Sequence, residues 1–264
     1  MYEERIIAYI DILGFTKKIE NTVENLEMTQ KIYDFISLVH KDFFKEIDKK
    51  EKFLDSSYEV TQSSDCLAIS YVASEKASVF RMLMSLLYLQ IDAIQNGLLL
   101  RGAVTCGKLI HDKTHLFGPA MNAVVDMEKN ISIFPRIIVN KEVLEKAIEN
   151  PFGSNGREDE EKYLKELLKT DFDGFYYIDY FLQGCEALME EYGCECLPEY
   201  LKDICRIIDK NEQSLDIKII QKTNWLKNNY NMLLANLKND ERCKDVEKEL
   251  KLLKEYKIVK EIKM

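Results

Sequence analysis

No stretch of this 264-residue chain approaches the roughly 18 consecutive apolar residues that a membrane-spanning helix needs, so no membrane partner is expected. Met1-Tyr2-Glu3-Glu4-Arg5 carries no apolar signal region, and a cytoplasmic location follows as the expectation. A basic stripe dense enough to neutralise many phosphates is also missing, and the formal net charge of −9 works against nucleic acid as a partner. A small anionic ligand could still bind locally. The seven cysteines, an odd number, lack a disulfide framework's pairing. Cys194, Cys196 and Cys205 lack the paired C-x-x-C knuckles and histidine partners of structural zinc, so they read as buried free thiols. No internal repeat stands out.

What is present is apolar enough, at 46% hydrophobic, to bury a core of full domain size. Periodicity predicts strands over 4–12, 57–61, 65–72, 99–106 and 136–139, a short strand over 108–117, and helices over 17–48, 76–96, 119–130 and 141–149. Ile32, Phe35, Ile36, Val39 and Phe43 form the apolar stripe of the first helix, and Phe80, Leu83, Met84, Leu87 and Ile91 that of the second. Turn formers and an acidic run over 150–162 predict an exposed loop. Asp171-Phe172-Asp173-Gly174 predicts a turn into a last strand over 175–181. From about 184 the pattern is helical, with Trp225, Leu226, Tyr230, Leu233 and Leu234 on one face and 239–264 a solvated helix. Two domains are expected, 1–183 and a helical extension, 184–264, packing on it. The alternation suits an α/β or α+β sandwich.

Within that pattern Asp11 is anomalous. It sits in the apolar run Arg5-Ile-Ile-Ala-Tyr-Ile-Asp11-Ile-Leu-Gly-Phe15, where a buried carboxylate is costly unless it is paired or binds a metal. Asp65 opens a second such run, Ser63-Ser-Asp65-Cys-Leu-Ala-Ile-Ser-Tyr71. Two aspartates at the ends of neighbouring strands would make a divalent-cation site, although either alone could equally cap a turn. Gly14 and Phe15 open the helix after the first strand, whose N–H groups would receive phosphate.

A third segment is Leu99-Leu-Arg101-Gly-Ala-Val-Thr-Cys-Gly107, followed by Phe117-Gly-Pro-Ala-Met-Asn122-Ala-Val-Val-Asp126-Met-Glu128 and Phe134-Pro-Arg136-Ile-Ile-Val-Asn140. In order, DILGFT, SSDCLAIS, RGAVTCG, FGPAMNAVVDMEK and PRIIVN resemble the catalytic domains of class III nucleotidyl cyclases across residues 4 to 181. The resemblance implies an α+β fold with a ferredoxin-like, palm-type central antiparallel sheet flanked by helices, followed by the helical C-terminal extension. It implies that Asp11, Asp65 and the Ile12 carbonyl hold two divalent cations, Mn²⁺ or Mg²⁺, and that Asn122 orients the ribose. In that family a 3′-hydroxyl attacks the α-phosphate of a nucleoside triphosphate at a site formed between two protomers, so a homodimer is implied.

Three positions depart from the family pattern. Asp126 stands where the family has a transition-state arginine, leaving Arg136 and Arg101 as candidates for that role. Ser64 replaces a glycine, and Thr61 and His115 fall at the base-reading positions without the purine-reading residues. These departures, with the R-G-A-V and F-P-R-I-I-V strands, the D-F-D-G-F-Y-Y-I-D-Y stretch and the Lys222-x-x-Trp225-Leu tail, resemble the bacterial pyrimidine cyclases of Pycsar anti-phage defence, which implies UTP or CTP as substrate and a cyclic-nucleotide-responsive effector as the functional partner. A catalytically degenerate, nucleotide-binding regulatory module is the alternative. A palm-type polymerase shares the two-aspartate logic but would need a G-G-D-[DE] turn that the sequence lacks. His40 and His111 read as surface or capping histidines, the latter in a β-turn.

Overall fold

The computed structural model describes residues 1–40, 57–152 and 156–257. They form two compact units, Met1–Asp179 and Tyr180–Met264.

The first unit is built on β1 (Glu3–Ile12), β2 (Glu59–Ser63), β3 (Cys66–Val72) and β4 (Leu100–His111), with α1 (Phe15–Thr22), α2 (Leu26–His40) and α3 (Ser78–Gln95) in the connections. These strands lie in the order β2-β3-β1-β4, each antiparallel to its neighbour. Two split crossovers produce this order: β3 lies between β1 and β2, and β1 lies between β3 and β4. This is the expected ferredoxin-like, palm-type topology. The sheet continues through β6 (Ile137–Val139), β8 (Tyr176–Ile178) and β7 (Leu168–Thr170), while β5 (Leu116–Phe117) pairs with the end of β4. Because α4 (Pro119–Asn130) carries the chain back from β5 to β6, β6 runs parallel to β4, and the sheet as a whole is mixed around its expected antiparallel centre.

Alternation along β1 assigns its side chains to two faces. Ile6, Ala8, Ile10 and Ile12 are at most 2% exposed and share the core with Val79, Met82, Leu83, Leu86 and Leu87 of α3. Arg5, Ile7, Tyr9 and Asp11 occupy the opposite face. Ala120 of α4 lies 3.4 Å from where a Cβ on Gly107 would stand, and Gly107 is the register partner of Arg5, so α4 covers this second face.

Several boundaries differ from the sequence reading. The helix expected over 17–48 breaks at Asn25, whose side-chain oxygen accepts from Met28 N at 3.0 Å and starts α2 afresh. Residues 41–48, Phe43 among them, lie outside those described, as do the side chains of Val39 and His40. The loop expected over 150–162 instead leads into α6 (Arg157–Leu167), preceded by α5 (Lys141–Glu149). Asp159 accepts from Gly156 N at 3.1 Å, and Glu158, Asp159 and Glu160 crowd the first turn, where the helix dipole favours acids. Residues 153–155 lie outside the described set. β7 was not anticipated.

The second unit contains α7 (Leu182–Tyr192), α8 (Leu197–Glu212), α9 (Ile217–Lys238) and α10 (Glu247–Leu252). Trp225, Leu226, Tyr230, Leu233 and Leu234 form the buried face of α9, and Trp225 meets Phe181 edge-on at 5.8 Å. The single helix expected over 239–264 is instead a 3₁₀ segment, Glu241–Val246, followed by α10, with 258–264 outside the described residues. Cys194 donates to Arg242 O at 3.1 Å, and all seven cysteines are free thiols. No helix among the described residues is long and apolar enough to cross a membrane.

Candidate active site

The sheet register explains how residues distant in sequence share one surface. Asp11 faces Cys66 on β3 and Arg101 on β4, and Cys66 in turn faces Ser63 on β2. Cross-strand partners lie on the same side, so Ser63, Cys66, Asp11 and Arg101 form one row. The next row is Thr61, Ala68, Tyr9 and Ala103, and the one after it Glu59, Ser70, Ile7 and Thr105.

Asp65 occupies the two-residue turn between β2 and β3, where its carbonyl accepts from Ile12 N at 3.2 Å and ties the hairpin to the end of β1. One carboxylate oxygen each of Asp11 and Asp65 and the sulfur of Cys66 lie within 4.8 Å of one another, all three residues half-buried. Among the described residues this is the only trio of such donors. Ser64, before Asp65, has φ 57°, the left-handed conformation that glycine adopts without strain. Ser64→Gly is therefore expected to raise stability by roughly 0.5 kcal/mol, the relief of strain exceeding the added unfolded-state entropy. A lower urea midpoint for the variant would count against that strain.

Past Ile12, which is 2% exposed, the chain turns at Gly14 with φ 69° and enters α1 at the half-buried Phe15. A Cβ on Gly14 would meet nothing within 4 Å, so the start of α1 is open beside the carboxylates' strand end.

Arg101 joins this group. Its Nε donates to Asp11 Oδ2 at 2.9 Å, and its Nη2 lies 2.7 Å from Glu128 Oε1. Gly102 lets β4 approach β1 here, since a Cβ would stand 2.6 Å from Tyr9 O. Glu128 is 3% exposed, and burial raises its pKa while Arg101 opposes the rise. Sequence reading passed over Glu128. The available signal was the stripe Ala120, Val124, Glu128, whose i, i+4 spacing ends on a carboxylate and is buried against the sheet. Burial likewise raises the pKa of the Cys66 thiol and the Tyr9 hydroxyl, which are hydrogen-bonded to each other.

The other residues singled out in the sequence lie apart from this group. Asn122 is exposed on α4 and shares its outward stripe with Asp126, which accepts from Asn130 Nδ2 at 2.7 Å. Arg136 is fully buried, with both terminal nitrogens committed to Asp171 and Asp173. In this arrangement its guanidinium is held by two carboxylates of the β7–β8 turn and not turned toward Asp11 and Asp65. His115 is exposed in the turn after β4, where its Nδ1 lies 3.1 Å from Asp112 Oδ1. Asp112 also accepts from the N–H groups of Thr114 and His115, which holds its carboxyl well below the usual range.

Thr61 is on the same face as Asp11, one row along, but its hydroxyl is hydrogen-bonded to His111 Nε2 at 3.0 Å. His111 is therefore no turn or surface histidine. It is 6% exposed, lies at the end of β4, and takes Ser70 Oγ at 2.8 Å on Nδ1, while Arg5 Nε donates to Ser70 Oγ at 2.9 Å. With the Ser70 hydroxyl donating to Nδ1, Nε2 carries the ring hydrogen and donates to Thr61, an assignment made from the network. Burial first, and the Arg5 charge second, push the His111 pKa down to about 4, with Asp112 opposing. The unfolded chain thus binds more protons than the folded one between about 4 and 6.5. Stability is expected to fall by on the order of 2 kcal/mol as pH drops through that window. His111→Gln should flatten that slope in denaturation curves measured across it, and an unchanged slope would assign the effect to other groups.

No family model matches the chain, and no curated protein does. Among solved structures it is similar to the adenylyl cyclase CyaB from P. aeruginosa, at 13% identity and TM-score 0.41 over 56% of this chain and 82% of that one. It is similar to the monomeric guanylyl cyclase domain of a RhoGC fusion protein from the aquatic fungus Blastocladiella emersonii, at 16% identity and TM-score 0.44 over 67% and 95%. An adenylate/guanylate cyclase/hydrolase from Silicibacter pomeroyi matches at 16% identity and TM-score 0.38 over 67% and 95%.

Proposed function

We propose that the protein is a metal-dependent nucleotidyl cyclase that converts UTP or CTP to its 3′,5′-cyclic monophosphate with release of pyrophosphate. The observation that carries this reading is the convergence of the Asp11 and Asp65 donor atoms within 4.8 Å beside the open start of α1. Two carboxylates that share a half-buried pocket repel each other unless a cation lies between them. The oxygen-rich donor set fits Mn²⁺ or Mg²⁺, held by Asp11, Asp65 and the Ile12 carbonyl. When bound, such cations supply a lowered pKa at the 3′-hydroxyl and neutralise charge developing on the α-phosphate and pyrophosphate.

The chain's own residues bind and position. Arg101 fixes the Asp11 carboxylate through Oδ2, leaving Oδ1 for the site, and Glu128 cancels its charge so that the pocket stays electronegative. The N–H groups of the first turn of α1 receive phosphate oxygens. O3′ bonds to the α-phosphorus, the bond from that phosphorus to pyrophosphate breaks, and the hydroxyl proton passes to water. Asn122, exposed on α4, orients the ribose in this reading, at a site completed by a second copy. The cyclic product then acts on a separate effector in anti-phage defence.

Asp126 favours a second reading, a catalytically degenerate nucleotide-binding module. It places a negative charge on the stripe from which the family's arginine acts, and its partner there is Asn130. The deciding experiment is incubation with each of ATP, GTP, CTP and UTP plus Mn²⁺, with pyrophosphate and product mass as readouts. A single cyclic pyrimidine product is expected. No product from a folded dimer would establish the degenerate reading.

A further inference from the structure

We propose that Cys66 is a third protein ligand of the cation that Asp11 and Asp65 share, so that this position selects a borderline metal such as Zn²⁺ or Co²⁺ over Mg²⁺. The inference rests on the reading that these aspartates hold a cation, and adds a thiolate to it. Three features converge on it.

The first is placement. Cys66 is the register partner of Asp11 and the chain neighbour of Asp65, so β-sheet geometry puts its sulfur on the carboxylates' face. Its Sγ lies 3.8 Å from Asp65 Oδ1. Two donors at metal–sulfur and metal–oxygen distances of about 2.3 and 2.0 Å stand roughly 3.5 Å apart in a tetrahedral shell. The observed separation is thus close to an edge of a coordination polyhedron. The donor atoms of all three residues lie within 4.8 Å of one another.

The second is environment. The residues that follow Cys66 on β3, Leu67, Ala68 and Ile69, are at most 2% exposed, whereas Cys66 itself is only half-buried. A cysteine that serves only as a small apolar filler belongs among the former. Tyr9, one row along on the same face, is hydrogen-bonded to the thiol and orients the sulfur as outer partners of metal ligands do.

The third is charge. Arg101 would repel a nearby cation, but Glu128 lies 2.7 Å from it and cancels it. Asp11, Asp65 and Glu128 against the single Arg101 then leave a net charge of −2 next to the sulfur. Binding M²⁺ there forms a metal–sulfur bond and releases the thiol proton to solvent. Carboxylate oxygens alone favour Mg²⁺ or Mn²⁺, and a thiolate shifts the order toward Zn²⁺ and Co²⁺.

The experiment is Co²⁺ titration of the reduced, chelator-treated full chain, read by absorption and by calorimetry. A near-ultraviolet thiolate-to-cobalt charge-transfer band is expected. Cys66→Ser should abolish the band and weaken Co²⁺ binding by at least about tenfold, while Mg²⁺ affinity changes less than about twofold. Cys66→Ala, which needs no hydrogen bond, serves as the second variant should serine perturb the fold. Cobalt bound without the band, or bound equally by the variants, would overturn the role of Cys66 and leave the carboxylate site standing. No binding of either Co²⁺ or Mg²⁺, or binding that Asp11→Asn does not weaken, would overturn the cation reading itself.

Discussion

Asp11→Asn, and separately Asp65→Asn, are expected to lower nucleotide turnover by at least about 10³-fold while the protein remains folded, a loss of about 4 kcal/mol of transition-state stabilisation. The structural cost should be far smaller. Asp11 accepts one side-chain bond, from Arg101 Nε, and Arg101 keeps its partner Glu128 when that bond is weakened. A part-buried charge-assisted hydrogen bond contributes about 1.5 to 3 kcal/mol, and asparagine retains an acceptor oxygen, so most of that contribution survives. Asp65 holds the hairpin to β1 through its backbone carbonyl, which the substitution does not touch. Alanine variants should behave alike in turnover. Denaturation midpoints and turnover measured on the same preparations separate the two effects, and turnover retained by either variant would refute the assignment of these carboxylates to the cation.

The sequence exposed this part of the molecule because β1 and β3 are buried on both sides at their centres, and an aspartate at the end of such a run has few structural uses. The neighbourhood of Asp11 and Asp65 was legible for the same reason, since these apolar runs are long and their turns short, whereas the palm-type sheet order was implied only by the resemblance to class III nucleotidyl cyclases. The positions of the side chains between those runs were not. His111 looked like a turn residue because the turn residues Asp112 and Lys113 follow it. Its burial depends instead on Thr61 and Ser70, 50 and 41 residues away. Glu128 was hidden by the opposite effect, since a charged residue on a short helix ordinarily reads as solvated. The acidic segment at 158–161 misled through composition: its charges suit a helix start as well as a loop, and the capping bond from Gly156 to Asp159 decides between them.

Arg136→Leu is expected to destabilise the first unit by about 3 to 5 kcal/mol, the cost of removing one partner from a buried ion pair and leaving the other charges uncompensated. The guanidinium is fully buried, binds Asp171 and Asp173, and lies 5.3 Å from the Phe134 ring centre and 5.7 Å from that of Tyr177. Those aspartates shape the turn between β7 and β8, where Gly174 at φ 84° donates to Asp171 O at 2.9 Å. Both strands are three residues long and depend on that turn for their register. For a protein of this size the loss corresponds to a melting temperature lower by roughly 6 to 15 °C. Arg136→Lys should recover only part of it, because an ammonium cannot present the planar fork that reaches both carboxylates. Adding Asp171→Asn and Asp173→Asn to Arg136→Leu should restore stability, since the unpaired charges rather than the missing bonds dominate the cost. Below its melting temperature the leucine variant should turn over nucleotide at a rate close to that of the parent. A variant with an unchanged melting temperature and no turnover would instead make Arg136 the relocated phosphate-stabilising arginine, and would require its two aspartates to release it during catalysis.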